Sequence, residues 1–390
     1  MDSIHAALST CPDITALDLR LSLSGCTGEG PDRWNLPFRP EGGDKYANLT
    51  SLRLEGYNFR NDPGVQWVND PSRLSRDGSQ QQILNPAKTH LDLWMAAMNW
   101  SAISELMITR ITDEHMAKLP SHLHSLRRLE TTNASFIYAL PNNTLTHLTY
   151  IEASETGYAA KNLPAILAHQ GASLQSLDVR SPELADRPFA CDFDVAILPR
   201  MTPNLEHVTL NIARNGTWPF DTLDILSSLP HLRSADLYMG IQSVCAQQRP
   251  MREMVPREVW ESEWRAEYCR GADQYQQPFV SKEGAEEVFA HMREEKKGVE
   301  LTHLTIYVGD WSRPWNGALY MLDWLENKRV KMMCTSEGGE EKCVVERAER
   351  YWEWDEQDWM NDLGRQWDIE EEKLDIEEEK WAVEKTRIEQ

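Results

Sequence analysis

Few side chains in this sequence stand at spacings that chemistry requires. His122 and His124, with His115 just upstream, form the densest imidazole group, and imidazole nitrogen is a common zinc ligand. No Cys or carboxylate stands with them at zinc-site spacing, so they read as surface histidines at the start of a strand. Asp192 and Asp194 form the DxD pattern with which glycosyltransferases hold a metal-bound sugar nucleotide. No alternating strand-helix nucleotide domain surrounds it, which leaves an acidic loop. Gly25, Gly28 and Gly30, in GCTGEG, lack both the spacing of a dinucleotide loop and the Lys-Ser/Thr of a phosphate loop. Cys334 and Cys343 flank SEGGEE and could face each other across a hairpin; they read as two half-buried thiols. No GxSxG, HExxH or Cys-His signature appears. The expectation is a protein that is not an enzyme, with no metal and no cofactor.

What remains is the framework that would position any site. An apolar pattern of the form LxxLxL recurs, usually after a Pro, Asn, Ser or Thr. Its positions are Ile14/Leu17/Leu19, Leu49/Leu52/Leu54, Ile103/Leu106/Ile108, Leu145/Leu148/Tyr150, Leu174/Leu177/Val179, Leu205/Val208/Leu210, Leu232/Ala235/Leu237 and Leu301/Leu304/Ile306. Leu126/Leu129/Thr131 is a weaker ninth copy. Most copies follow a segment with apolar residues at helical spacing, as DTLDILSSLPH leads into LRSADL, while the end of each triple alternates as a short strand does. Helix, turn, strand is therefore the repeating unit. From Ile103 the copies step by 23, 19, 29, 31 and 27 residues, which brackets the roughly 20-to-29-residue period of leucine-rich repeats. The fold class expected is α/β, a leucine-rich-repeat solenoid with parallel strands on the concave face and helices on the convex face.

Residues 1–312 form that array, with inserted loops at 25–46, 56–86 and 246–280, the first two rich in Gly, Pro and polar residues. The third carries Trp260, Trp264, Tyr268 and Tyr275, which either cover the array or bind. Residues 313–350 read as a C-terminal cap in which VKMMCTSEGGEEKCVV is a hairpin. Residues 351–390 read as an acidic, Trp-containing helical tail.

The charge follows this division. The chain has 40 Lys+Arg against 62 Asp+Glu, a net charge of −22 over 390 residues. Residues 346–390 hold seven bases against seventeen acids, so about −10 lies there and about −12 on the rest. A nucleic-acid partner needs a surplus of Lys and Arg, and an anionic membrane surface does too, so neither is expected. The start MDSIHAALSTCPD has no basic n-region or apolar run, so no export signal is expected. The seven scattered cysteines contain no CxxC, which fits reduced thiols in the cytoplasm or nucleus. The N-x-S/T asparagines Asn48, Asn99, Asn133, Asn142 and Asn215 accordingly read as loop and turn residues.

Stacked units leave one strand face open for a partner. On it the sequence places Asp18 and Arg20, Arg53 and Glu55, Thr109, Thr149, Asp178 and Arg180, Thr209 and Asn211, Asp236 and Tyr238, and Thr305 and Tyr307. The candidate partner contacts among them are Arg20, Arg53, Glu55, Asp178, Arg180, Asn211, Asp236, Tyr238 and Tyr307. Charged, hydroxyl and aromatic groups together suit a protein surface, although any exposed sheet face needs polar positions.

The array NLTSLRLEG, SLQSLDVR, PNLEHVTLN, LPHLRSADLYMG and ELTHLTIYVGDW, followed by WNGALYMLDWLENKRVKM and CVVERAERYWEW, resembles the repeat region of fungal F-box-like leucine-rich-repeat proteins. The similarity runs from about residue 10 to 355. It implies that the repeats select a protein target, while an F-box of some 40 residues upstream docks on the Skp adaptor of a cullin-type ubiquitin ligase. Residues 1–13 have no room for an LPxEIL-like F-box start. The resemblance thus implies a truncated product or an F-box-less relative, with a Skp-type adaptor as partner only if an F-box lies upstream. The alternative is a stand-alone scaffold that binds a basic partner through the acidic tail.

Overall fold

The computed structural model describes residues 2–20, 43–55, 57, 90–108, 118–151, 159–180, 194–212, 218–239, 281–308, 330–338 and 340–347. All nine apolar triples become strands: β1 Ala16–Arg20, β2 Ser51–Glu55, β3 Glu105–Ile108, β4 Arg128–Thr131, β5 His147–Ile151, β6 Ser176–Arg180, β7 His207–Ile212, β8 Ser234–Met239 and β9 His303–Val308. The hairpin strands β10 Val330–Glu337 and β11 Glu340–Arg347 follow. Together they form one open sheet in strict chain order, β1 to β11. β1 to β9 run parallel, and β10 lies antiparallel to both β9 and β11.

The register converts the sequence pattern into continuous apolar rows. Leu17, Leu52, Leu106, Leu129, Leu148, Leu177, Val208, Ala235 and Leu304 are cross-strand partners. Two residues further on, Leu19, Leu54, Ile108, Thr131, Tyr150, Val179, Leu210, Leu237 and Ile306 form a second row. The first apolar residue of each triple, from Leu49 through Leu301, is also buried. Each row thus takes one side chain per strand, mostly leucine in the first row and a mixture of Leu, Ile, Val, Tyr and Thr in the second, and is filled at interior density.

A second regularity has nothing to do with apolar residues. The carbonyl just before each strand accepts from two successive N–H groups of the next unit: Thr15 O from Thr50 and Ser51, Thr146 O from Gln175 and Ser176, Arg233 O from Thr302 and His303, and the intervening units likewise. Where Ser or Thr occupies this place, its hydroxyl joins the bond, as Thr50, Ser104, Thr146 and Thr302 do at 3.1–3.2 Å. This accounts for the hydroxyl residues that directly follow the first apolar residue of these copies. The carbonyl's second lone pair is otherwise unused in a sheet ladder.

The α-helices among the described residues are α1 Asp2–Thr10, α2 His90–Ala97, α3 Ala134–Ala139, α4 Ala159–Gln170, α5 Leu198–Met201, α6 Phe220–Ser227 and α7 Lys282–Glu294. In α7, Ala285, Val288, Phe289 and Met292 recur at helical spacing and are all buried in the common core. Ser281 caps it by accepting from Gly284 N. Two of the N-x-S/T asparagines are caps as well: Asn133 accepts from Phe136 N before α3, and Asn99 from Ser101 N before the short turn Trp100–Ala102. Most of the three insertions lies outside the described residues. Of the first, 43–46 is described, and Tyr46 is buried with its hydroxyl on His5.

The hairpin register closes with Glu337 opposite Glu340, and Gly338 between them takes φ +61°, as a tight two-residue connection requires. It corrects the reading of Cys334 and Cys343 as half-buried thiols. They are buried, directly paired in the register, and joined as a disulfide. They fall in the first apolar row, beside Leu304, so the packing that continues the core also brings the sulfurs together. Arg293 at the end of α7 donates to both Glu300 and Glu341, tying the hairpin to the last unit. With nine residues of separation, the cross-link removes about 2.5 kcal/mol of unfolded-state entropy. Cys334→Ser/Cys343→Ser is expected to lower stability to urea by about that amount, and dithiothreitol to lower the wild type to the variant's level but leave the variant unchanged.

Candidate recognition face

The side of the sheet opposite the apolar rows carries three polar rows. At the strand starts the register aligns Ser51, Glu105, Arg128, His147, Ser176, His207, Ser234, His303, Thr335 and Lys342. The middle row runs Asp18, Arg53, Met107, Glu130, Thr149, Asp178, Thr209, Asp236 and Thr305. Near the strand ends lie Arg180, Asn211, Tyr238, Tyr307 and Lys331.

Two clusters gather most of the residues expected here. In the first, Arg53 lies among three carboxylates: Glu130 at 3.0 Å, Glu105 at 3.6 Å and Asp18 at 3.8 Å. These groups sit on four adjacent strands, so one guanidinium neutralises part of a carboxylate field that would otherwise repel itself. Glu55 follows at the end of β2. The Arg20 side chain and Thr109 lie outside the described residues.

The second cluster is a stack. Tyr238 and Tyr307 lie face to face, 4.4 Å between centroids and 7° from parallel. The Arg180 guanidinium lies 5.3 Å from the Tyr238 ring, and Lys331 Nζ lies 5.9 Å from the Tyr307 ring. Arg180 also donates to Asp178 at 3.0 Å and to the Tyr238 hydroxyl at 3.0 Å. Burial pushes the Asp178 carboxyl up, against the pull of Arg180. Burial acts on Arg180 in the opposite sense, but Asp178 and Tyr238 outweigh it and hold its charge more firmly. Burial likewise raises the Tyr238 hydroxyl. The cluster thus holds its rotamers through ion pairing and ring stacking at once.

Asn211 is not displayed as the sequence suggests. It is 4% exposed, and its neighbour Thr209 6%. From Val208 to Ile212 both faces of β7 are covered, so the alternation that places Asn211 on the surface fails there. Met107 is buried on the same side in β3.

The row at the strand starts was missed altogether. His207 is held by Ser234 at 2.6 Å and Thr209 at 3.2 Å, with Asp236 at 3.5 Å. His147 and His303 each bond through Nδ1 to the preceding threonine, at 2.9 and 2.8 Å. The signal was present in the strand sequences. HLT, HVT and HLT open β5, β7 and β9, while SLD and SAD open β6 and β8.

The residues first weighed for catalysis have structural places where they are described. His122 and His124 are exposed around the short turn Pro120–His122. Asp194 accepts from Ala196 N and caps the turn Val195–Ile197. His115, Asp192 and the GCTGEG glycines lie outside the described residues. Among the described residues, no three His, Cys, Asp or Glu side chains are grouped to hold a metal ion, and no helix is long and apolar enough to cross a membrane. Compared with protein-family models and with curated proteins, the sequence matches none.

Proposed function

We propose that the protein is a non-enzymatic recognition module, a leucine-rich-repeat solenoid whose open strand face selects a protein partner. We further propose that its strand array is related to the target-selecting subunits of cullin-type ubiquitin ligases. The observation that carries the reading is the division of labour across the sheet. Nine parallel strands in continuous register bury one face, and the other presents the Arg180–Tyr238–Tyr307–Lys331 stack between rows of charged and hydroxyl groups. Tyr and Arg held in fixed rotamers are the residue types that concentrate binding energy at interfaces.

The test is affinity capture from fungal extract with the full chain and with Tyr238→Ala/Tyr307→Ala. A specific protein partner is expected with the wild type, and its affinity should fall by about tenfold or more in the variant. Equal capture by both would remove the stack from the interface. Repeated failure to recover Skp or cullin with the partner would discard the ligase relationship alone. The net charge of −10 on residues 346–390 favours one second reading, a scaffold that holds a basic partner by its tail. Deleting 356–390 separates the two, because the scaffold loses its partner and the strand-face module keeps it.

A further inference from the structure

The row at the strand starts differs in kind from the rest of this acidic chain. From β4 to β11 it reads Arg128, His147, Ser176, His207, Ser234, His303, Thr335, Lys342, with a hydrogen-bond donor at every strand and no carboxylate. None of the eight is buried, and Arg128, His303 and Lys342 are exposed. One residue earlier on their strands, Arg127 and Arg233 are exposed, as are the acids Glu206 and, at the level of Ser336, Glu341. The carboxylates of the neighbouring middle row are drawn elsewhere: Glu130 to Arg53 and Asp178 to Arg180. Only Asp236 turns toward the row, at His207.

The three histidines share one anchoring device. In each, Nδ1 meets a hydroxyl, of Thr146, Ser234 or Thr302, at 2.6–2.9 Å. At His147 and His303 this leaves Nε2 as the remaining polar atom for a partner. The histidines recur on alternate strands, so they stand about 9.6 Å apart along the row. An extended polyproline-type segment rises about 3.1 Å per residue and returns to the same face every third residue, about 9.3 Å on. Carboxylates at every third position of such a segment therefore match the row.

We propose that this row is a docking strip for an extended acidic segment of a protein partner, laid across the strands, and that the strip strengthens as its histidines gain charge. It rests on the reading of the open face as a recognition surface and names the chemistry of what that face takes. The groups that face the histidines set the pH response. His147 faces Arg128 on β4 and Ser176 on β6, with Glu105, Glu206 and His207 nearby; burial, then Arg128, holds its charge off. His207 faces Ser176 and Asp178 on β6 and Ser234 and Asp236 on β8, and Asp236 offsets part of its charge. His303 faces Ser234 and Asp236 on β8 and Thr335 on β10. An imidazole passes from neutral to charged in the span from about pH 8 to about pH 5.5, in which a glutamate stays ionised.

The experiment measures fluorescence anisotropy of two labelled peptides of equal composition, four repeats of Glu-Pro-Pro and a block of four Glu after eight Pro, with the full chain. The spaced peptide should bind about tenfold tighter near pH 5.5 than near pH 8, and tighter than the block peptide. His147→Gln/His207→Gln/His303→Gln should abolish the pH dependence while leaving the circular dichroism spectrum and melting temperature near those of the wild type. Equal affinity for both peptides, or pH dependence that persists in a folded variant, overturns the strip. Equal binding of an oligothymidylate overturns it in favour of a phosphate ligand. Carbodiimide coupling of Lys342 to carboxylates of residues 348–390 in the chain alone would assign the strip to its own tail and overturn the partner. The wider reading stands apart from these outcomes, because capture by the Tyr238–Tyr307 stack reports on it separately.

Discussion

Gln170→Met is expected to destabilise the protein by about 3 kcal/mol or more, although it changes side-chain length and volume little. Gln170 ends α4 and is fully buried. Its Oε1 accepts from both Thr144 N and Leu145 N, at 3.0 and 3.2 Å, and its Nε2 donates to Pro141 O at 2.8 Å. One amide therefore satisfies three backbone groups in the turn of the preceding unit. Methionine leaves all three without that partner, at a cost of about 1 kcal/mol or more each. Neighbouring bonds show how much of the joint converges on this turn: His169 Nε2 meets Leu140 O at 2.8 Å, Asn143 N donates to His169 O, and Ser173 Oγ donates to Leu145 O at 2.6 Å. Urea denaturation checks the value. A loss below about 1 kcal/mol would mean that water replaces the amide and that the turn does not depend on it.

Gly298→Ala is expected to cost about 2–4 kcal/mol, from two sources that a control can divide. Gly298 has φ +86°, and a Cβ there would lie 2.3 Å from Pro230 O. The close approach is fixed by the turn after α7 docking on the turn after α6. Val299 N donates to Pro230 O at 2.8 Å, Lys297 N to Ser227 O at 3.0 Å, and Lys296 Nζ to Leu229 O at 2.6 Å. Gly338 also has positive φ, at +61°, but a Cβ there meets nothing within 4 Å. Gly338→Ala should therefore show only the conformational part, about 1 kcal/mol. The excess at Gly298, read from paired urea titrations, measures the backbone approach. Equal losses at both sites would show that the two turns separate easily.

The strands were legible because each needs only a local pattern, and the pattern repeats. Even the weakest copy holds: Thr131 is buried in the second row, its hydroxyl accepting from Asn133 N at 3.1 Å. Ala235 holds the first row with the smallest side chain in it. The joints between units were not legible. Gln170 reads as a polar residue at a helix end, and only the fold shows that it faces another unit's turn. Cys334 and Cys343 were placed opposite each other correctly by their symmetry about the turn, while their bond depends on packing beside Leu304 that the sequence does not display.

For the candidate face the outcome follows the same division. Period-two alternation located Asp178, Arg180, Tyr238 and Tyr307, but not that they assemble into one cluster, since Asp178 and Tyr307 come from strands far apart in the chain. Alternation also misled at Asn211, where β7 is covered on both sides. The histidine row was passed over because the first residue of a strand reads as flanking turn until register shows which neighbours it joins.

The strict chain order of the sheet has a mechanical meaning. Among the described residues each strand pairs only with its neighbours in chain order, so tension applied at the two ends of the sheet reaches each strand boundary in series. The weakest boundary then sets the force at which the sheet first parts. At the hairpin end, the bond between Cys334 and Cys343 keeps β10 and β11 from peeling apart, and the load passes to the β9–β10 boundary and the Arg293 ties beside it. A partner lying across several strands would bear on many boundaries at once, and so would act as a splint along the direction in which the chain alone is weakest.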